Sequence, residues 1–155
     1  MVVSDLSLHP RFIPQLADGF FAAWPDWCTR VGRSEVESIF ASGAGGSLPV
    51  LLVAHDRDEV AGTVALRPFF GDEPMPETPW VRQFFVFPRF RGRGVDRLLG
   101  AAIEQRACEM GYEHLFAATN RIEPLLRRRG WETFRTVEHE GQPMVWMSKM
   151  IGARK

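Results

Sequence analysis

The chain has 155 residues, 45% of them apolar and 25% charged, with a formal net charge of zero. That composition suits one globular domain, residues 1–155, with a single core. It gives no global pull towards nucleic acid or a membrane surface, and no apolar run is long enough to cross a bilayer.

The basic residues are lopsided: only Lys149 and Lys155 are lysines and the rest are arginines. Arginine is preferred where a planar, bidentate grip on phosphate or carboxylate is needed. It also accumulates in GC-rich genomes, so the bias by itself decides nothing. Cys28 and Cys108 are far apart and lack metal-ligand spacing. Free thiols in a reducing compartment are expected, and no metal site. The opening MVVSDLSLHPRF has no basic region followed by an apolar core. No signal peptide is expected, and the protein is read as cytoplasmic.

The first predicted helix spans Pro10 to Trp24, because Ile13, Leu16, Phe20 and Trp24 recur at helical spacing. A second starts near Ser34, where Ser34 and Glu37 have the spacing of a capping box. Its apolar face is Val36, Ile39 and Phe40, and the glycine-rich residues 43–46 end it. A hairpin follows, with strands at 50–55 and 60–69 around the turn DRDE. GDEPMPETP, residues 71–79, reads as a loop with three prolines and three carboxylates, and WVRQFFVF, residues 80–87, as a strand. The next helix carries Val95, Leu98, Leu99, Ala102, Ile103 and Ala107 on one face and stops at Gly111. HLFAAT, residues 114–119, is a short buried strand, and a short helix runs from Glu123 to Arg129 before Gly130. A last hairpin turns at Gly141. The order is two helices, three strands, helix, strand, helix and two strands, an α/β (α+β) domain with a mixed sheet.

The segment FVFPRFRGRGVDRLL, residues 85–99, carries the chemistry. A strand runs into a glycine loop and the loop into a helix. A helix N-terminus exposes unpaired N–H groups and about half a positive charge. Gly92 and Gly94 let the backbone turn sharply and approach a ligand, and Arg89, Arg91 and Arg93 add charge. Together these make a phosphate cradle. The Walker string G-x-x-x-x-G-K-[ST] is absent. A dinucleotide fold would want its glycines early in a βαβ unit rather than behind a hairpin. RFRGRG also resembles an Arg-Gly nucleic-acid motif, but it is short and flanked by firm strand and helix patterns, so no nucleic-acid partner is expected.

These residues resemble the GNAT superfamily of N-acetyltransferases. In that family a strand ending in V-x-P precedes a loop [QR]-x-x-G-x-[GA] that opens a helix. Val86, Pro88, Arg91, Gly92, Gly94 and Val95 stand in matching places. The similarity runs roughly from residue 48 to 151, through HLFAAT, LLRRRGW and PMVWMSKMI. It implies a GNAT-like, mixed but mostly antiparallel sheet flanked by helices and splayed at its central strands. It implies acetyl transfer from acetyl-CoA, as cosubstrate, to the amine of a small molecule, by direct attack in a ternary complex. The pyrophosphate would lie on the N–H groups of Arg91, Gly92, Arg93, Gly94, Val95 and Asp96. Pantetheine would pair with backbone near Phe85, Val86 and Phe87, with Asn120 also in contact, and the Val86 N–H would polarise the thioester carbonyl. A homodimer follows from family habit alone. The alternatives are a non-catalytic acyl-CoA-binding or sensing module, and a protein N-acetyltransferase.

Two residues depart from the family pattern. Asp96 fills the final Gly/Ala slot of the loop. About 4 Å from a phosphate, an opposed charge costs about 4 kcal/mol at an effective dielectric of 20. Arg89, Arg91, Arg93 and Arg97 offset much of it, and Asp is welcome in a first helical turn. The expectation is that Asp96 turns outward. Leu126 stands where the family often has the Tyr that protonates the departing thiolate, so no general acid is named and water is left to serve. The catalytic residues are unknown; Glu73 and Glu77, with Asp72 in the same loop, are weak candidates for the base, against a plain solvated loop. Arg127, Arg128 and Arg129, with Arg121 before them, either meet the CoA 3′-phosphate or an acidic substrate, or form a solvated helix face that complements the C-terminal dipole. Trp24, Trp27, Phe20, Phe21 and Phe40 either wall the acceptor pocket or fill the core.

Overall fold

The computed structural model describes residues 1–43 and 47–152. Its strands are β1 (Val2–Asp5), β2 (Val50–Asp56), β3 (Glu59–Arg67), β4 (Trp80–Val86), β5 (His114–Thr119), β6 (Glu132–His139) and β7 (Gln142–Met150). Its helices are α1 (Ile13–Ala23), α2 (Pro25–Val31), α3 (Arg33–Phe40), α4 (Val95–Glu109) and α5 (Glu123–Arg128). The sheet order is β1-β2-β3-β4-β5-β7-β6. β1–β2, β5–β7 and β6–β7 are antiparallel, and β4–β5 is parallel at Trp80 and Phe116. This is the mixed, mostly antiparallel sheet with flanking helices that the sequence leads one to expect.

Two elements were not expected. β1 pairs Val2–Asp5 with Leu52–His55 at the sheet edge. Four residues with one clearly apolar pair carry too little periodicity to announce a strand. α2 fills the gap between the two expected N-terminal helices and starts on Pro25, a residue suited to a first helical turn. The Ser34–Glu37 capping box does not form. Gly32, at φ 95°, caps α3 instead, so Ser34 lies inside the helix and Glu37 accepts from Arg33 Nε at 2.8 Å. Residues 44–46 of the expected glycine stop lie outside the described residues; α3 itself ends at Phe40.

The chain divides into two compact units. Unit 1 comprises Met1–Ala65 and Gln83–Ile103; unit 2 comprises Leu66–Arg82 and the chain from Glu104 onward. The core of unit 1 gathers Leu6, Phe12, Leu16, Ala17, Phe20, Val36 and Phe40 against Leu51, Val53, Val60 and Phe85. Leu16 and Phe20 are buried as the α1 periodicity requires, whereas Trp24 ends the helix 44% exposed, its ring 5.5 Å from that of Phe85. Val95, Leu99 and Ile103 bury the α4 face, and Leu98 is half-exposed.

In unit 2, β5 and β7 pair along six residues, and β6 closes the edge as a hairpin turning at Glu140 and Gly141, both left-handed. The β6 register slips between Thr133 and Arg135, which makes Phe134 the extra residue of a bulge. Ala107, Leu115 and Met147 are fully buried in this unit. Trp80 is also fully buried, its Nε1 donating to the Glu77 carbonyl at 2.9 Å.

Candidate functional site

In unit 1 the end of β4, the loop after it and the start of α4 form one local device. The Phe87 N–H donates to the Ala61 carbonyl at 2.8 Å. N–H groups on successive strand residues point to opposite sides. The bond to Ala61 therefore directs the Val86 N–H away from β3. Upstream in β4, Gln83 adopts φ 48°, a left-handed conformation uncommon for a non-glycine residue inside a strand. Such a kink re-aims the residues that follow it.

Gly62 explains how β3 meets this segment. A Cβ on Gly62 would lie 2.7 Å from the Phe85 carbonyl oxygen and 3.3 Å from Val86 Cα. No residue but glycine allows that approach. Gly19 of α1 does the same for the rings, since a Cβ there would lie 2.8 Å from the Phe87 ring and 3.2 Å from that of Phe85.

The loop turns through a short 3-10 segment, Pro88–Phe90, and then through Gly92 and Gly94 at φ 76° and 82°. A Cβ added at either glycine would meet nothing within 4 Å beyond its chain neighbours. The first helical bond runs from the Leu98 N–H to the Gly94 carbonyl at 3.0 Å, so Gly94 is the cap. Among the described residues, the N–H groups of Gly92, Arg93, Gly94 and Val95 make no backbone hydrogen bond. Arg91 Nε donates to the Val86 carbonyl at 3.0 Å and ties the loop to the strand end. Arg89 pairs with Glu59, and the guanidiniums of Arg89 and Arg93 lie 5.3 and 5.6 Å from the Phe90 ring. Arg93 and Arg97 are exposed, and Asp96 is partly buried in the first turn of α4. Unpaired main-chain donors, two glycines in the required conformation and a set of arginines fit a pyrophosphate.

The other expected site residues belong to unit 2. Asn120 is exposed, one residue past β5; Thr119 Oγ1 accepts from the N–H groups of Arg121 and Ile122 and fixes the turn there. Leu126 is partly buried in α5. Asp72 and Glu73 are exposed, whereas Glu77 has its carboxylate 3.8 Å from Arg135. His139 has Phe70 at 5.2 Å and Glu140 at 3.6 Å. In unit 1, His55 is structural: its two ring nitrogens meet Ser4 Oγ and the Arg57 carbonyl at 3.0 and 3.1 Å. Both cysteines are free. Burial raises the pKa of the Cys28 thiol, and Cys108 Sγ faces the Ile151 carbonyl, so neither is a nucleophile. Among the described residues no group of side chains could hold a metal ion.

A second arrangement, also in unit 2, escaped the sequence. Phe70, Trp80, Phe116, Phe134 and Trp146 form a continuous aromatic layer, with neighbouring ring centroids 5.0–6.3 Å apart. Arg82 lies 4.8 Å over the Phe70 ring and donates to the Phe70 carbonyl. Arg135 lies 5.4 Å over Trp146. Burial lowers the pKa of Arg82; burial and then the Arg82 charge lower that of Arg67.

A glycine-capped loop of this kind, set on a mixed sheet beside a strand end, has the geometry with which main-chain N–H groups can hold a phosphate. The model of the acetyltransferase (GNAT) family matches residues 13–131, and the chain belongs to that family. Solved structures of the same fold include an aminoglycoside 6'-N-acetyltransferase complexed with coenzyme A. It is 16% identical with a TM-score of 0.80, over 100% of this chain and 99% of its own. The aminoglycoside 6'-N-acetyltransferase from Enterococcus faecium is 16% identical with a TM-score of 0.78, over 100% and 99% of the two chains. The ribosomal-protein-alanine N-acetyltransferase from Brucella melitensis is 20% identical with a TM-score of 0.69, over 97% and 99%. At these identities the likeness establishes the fold. No curated protein matches the sequence.

Proposed function

We propose that the chain transfers the acetyl group of acetyl-CoA to the amine of a small molecule. The observation that carries this reading is the pairing of an outward Val86 N–H with a glycine loop in which the N–H groups of Gly92 to Val95 make no backbone hydrogen bond among the described residues. The N–H groups of Gly92, Arg93, Gly94, Val95 and Asp96 hold the pyrophosphate, helped by the helix terminus and the arginines; the Arg91 N–H is spent on the Pro88 carbonyl at 3.2 Å, so Arg91 shapes the loop instead. Phe85 and Val86 line the thioester arm. Phe87, whose N–H is spent on Ala61, contributes its ring and the position of its neighbour. Membership of the family and the CoA complex of one structural relative support this placement.

Acetyl-CoA supplies an activated acyl carbon. The Val86 N–H stabilises the negative charge that grows on its carbonyl oxygen as the amine attacks. A carbon–nitrogen bond forms, the carbon–sulfur bond breaks, and the thiolate leaves. With Leu126 in place of a phenol, water returns the proton to sulfur. The amine must shed its own proton first; of the three loop carboxylates Asp72 and Glu73 are exposed, whereas Glu77 is paired with Arg135. The resemblance to the family implies direct attack with no covalent enzyme intermediate, and the two thiols of this chain are buried or turned to the backbone.

The test is a thiol-release assay with acetyl-CoA against small amines, aminoglycosides and N-terminal peptides. Thiol release that depends on a small amine supports the proposal. Release with peptides alone would reassign the chain to protein acetylation. Acetyl-CoA bound but never consumed would favour the non-catalytic alternative, for which Leu126 is the motive.

A further inference from the structure

Resting on the acetyl-transfer reading, a further role falls to the side chain of Arg91, within unit 1. In a strand the N–H and the C=O of one residue point to the same side, and those of the next residue to the other. The Phe87 N–H is bonded to the Ala61 carbonyl of β3 at 2.8 Å, so both main-chain groups of Val86 face away from β3. Arg91 reaches back to that side. The turn at Pro88–Phe90, closed by the Arg91 N–H on the Pro88 carbonyl at 3.2 Å, folds the loop towards the strand end. Arg91 Nε then donates to the Val86 carbonyl at 3.0 Å, and its guanidinium carbon lies 5.8 Å from the centroid of the Phe85 ring. That bond uses one of the five guanidinium N–H groups. It fixes a permanent positive charge on the same side of the strand as the Val86 N–H.

The carboxylates on the surrounding elements are already committed. Glu59 of β3 pairs with Arg89, and Asp96 of α4 has a partner of its own. Asp18 of α1 and Glu37 of α3 both pair with Arg33. Arg93 and Arg97 are exposed and carry the same sign as Arg91. Three steps of about 3 Å each separate Arg91 Nε from a thioester oxygen polarised by Val86: Nε to the Val86 carbonyl oxygen, that oxygen to the Val86 nitrogen, and the nitrogen to the thioester. The two are thus at most about 9 Å apart, and the sulfur is bonded to the same carbonyl carbon. Arg91 is itself exposed, so water and salt weaken its field until a ligand covers it.

We propose that Arg91 stabilises the CoA thiolate as it departs, so that this chain expels its leaving group as an anion rather than through a protonating side chain. As the amine attacks, the carbon–nitrogen bond forms, the carbon–sulfur bond breaks, and the electron pair of that bond stays on sulfur. The new negative charge develops near a guanidinium that cannot lose its own charge. The proton of the attacking amine passes to solvent, and water protonates the sulfur only after the bond is broken. A nearby opposite charge favours the ionised form of a thiol, so bound CoA ionises more readily than free CoA.

This property can be read without an acceptor. The ultraviolet absorbance of the thiolate is followed against pH for the CoA complex, with the desulfo-CoA complex subtracted. The subtraction removes the signals of Cys28, Cys108 and Tyr112. Binding of CoA is measured calorimetrically beside it. The bound thiol is expected to ionise at least about half a pH unit below free CoA in the same buffer, roughly a threefold gain in thiolate. Arg91→Gln is expected to abolish the shift, whereas Arg91→Lys, which keeps the charge, retains part of it. Arg97→Gln, which removes an exposed charge one turn into α4, is expected to leave it in place. An unshifted thiol in the native complex would overturn the proposal even if no variant folded. A shift that survives Arg91→Gln, or that Arg97→Gln removes as fully, would also overturn it and assign the field to the loop and helix terminus together. CoA bound with an unshifted thiol leaves the acetyl-transfer reading standing; a CoA titration without heat would remove both.

Discussion

The polar groups of the two units are held in place by different means. Unit 1 offers main-chain N–H groups, held by the conformation of a dozen consecutive residues. Unit 2 offers side chains brought together from β4, β6, β7 and the loop after β3. A main-chain site depends on glycine and on backbone approach, so it tolerates many side-chain changes but not a misplaced Cβ. A side-chain site fails when one guanidinium or ring is removed. Substitutions in the two units should therefore break different functions.

Gly62→Ala is expected to have the largest effect. Its Cβ would meet backbone, the Phe85 carbonyl oxygen at 2.7 Å, and backbone cannot swing aside as a side chain can. Overpacking of this kind costs about 1–3 kcal/mol. Displacing Phe85 and Val86 should also weaken acetyl-CoA binding about tenfold, about 1.4 kcal/mol. Thermal melts and calorimetry read the two effects. An unchanged melt with unchanged affinity would show that the close β3–β4 approach is not what places Val86.

Gly94→Val comes next. No atom lies within 4 Å of a Cβ at this position, so the cost is conformational alone. Holding φ near 82° in a residue with a branched Cβ costs about 1–2 kcal/mol. Acetyl-CoA affinity should fall by a similar amount, and Gly94→Asn, which tolerates this region better, should recover part of it. Equal affinities for the three forms would mean that the loop conformation does not matter to the ligand.

Glu77→Gln acts only in unit 2. Losing a half-exposed pair with Arg135 should change stability by less than about 1 kcal/mol and leave acetyl-CoA binding alone. A marked loss of acetyl-CoA affinity would break the division of labour between the units.

The smallest effect concerns Glu123. The Thr133 hydroxyl first, and Arg127 second, hold its carboxyl below the ordinary range. A depressed carboxylate contributes stability above its unfolded pKa and loses it as pH falls through the folded value. Glu123→Ala should thus melt slightly lower than the native protein at neutral pH, and the gap should close in strong acid. A gap independent of pH would assign the effect to packing.

Legibility in the sequence follows the same division. The loop after β4 could be read directly, because Gly92, Gly94 and the α4 pattern are contiguous and carry their own geometry. β2 to β7 could be read because their apolar runs are long or end in turn residues. β1 could not, being four residues paired only through distant Leu52–His55. The Ser34–Glu37 spacing misled because Gly32 supplied a competing cap one residue before α3. Gly62 left a usable trace, since a lone glycine inside a strand signals close backbone approach. The left-handed Gln83 left none, for nothing in its side chain requires that conformation. The Phe70, Arg82, Arg135 and Trp146 assembly was illegible because its members are scattered from 70 to 146, and only strand register and the β6 bulge bring them onto one face.

The central claim is that the loop from Arg91 to Asp96 holds the pyrophosphate of CoA. Calorimetric titration of acetyl-CoA into the native chain and into Asp96→Gly tests it most directly. The account predicts micromolar binding to both, with the native chain at most a few-fold weaker. No binding to the native chain, restored by Asp96→Gly, would contradict it: Asp96 would then occupy the place of the anion, and the fold would serve another task.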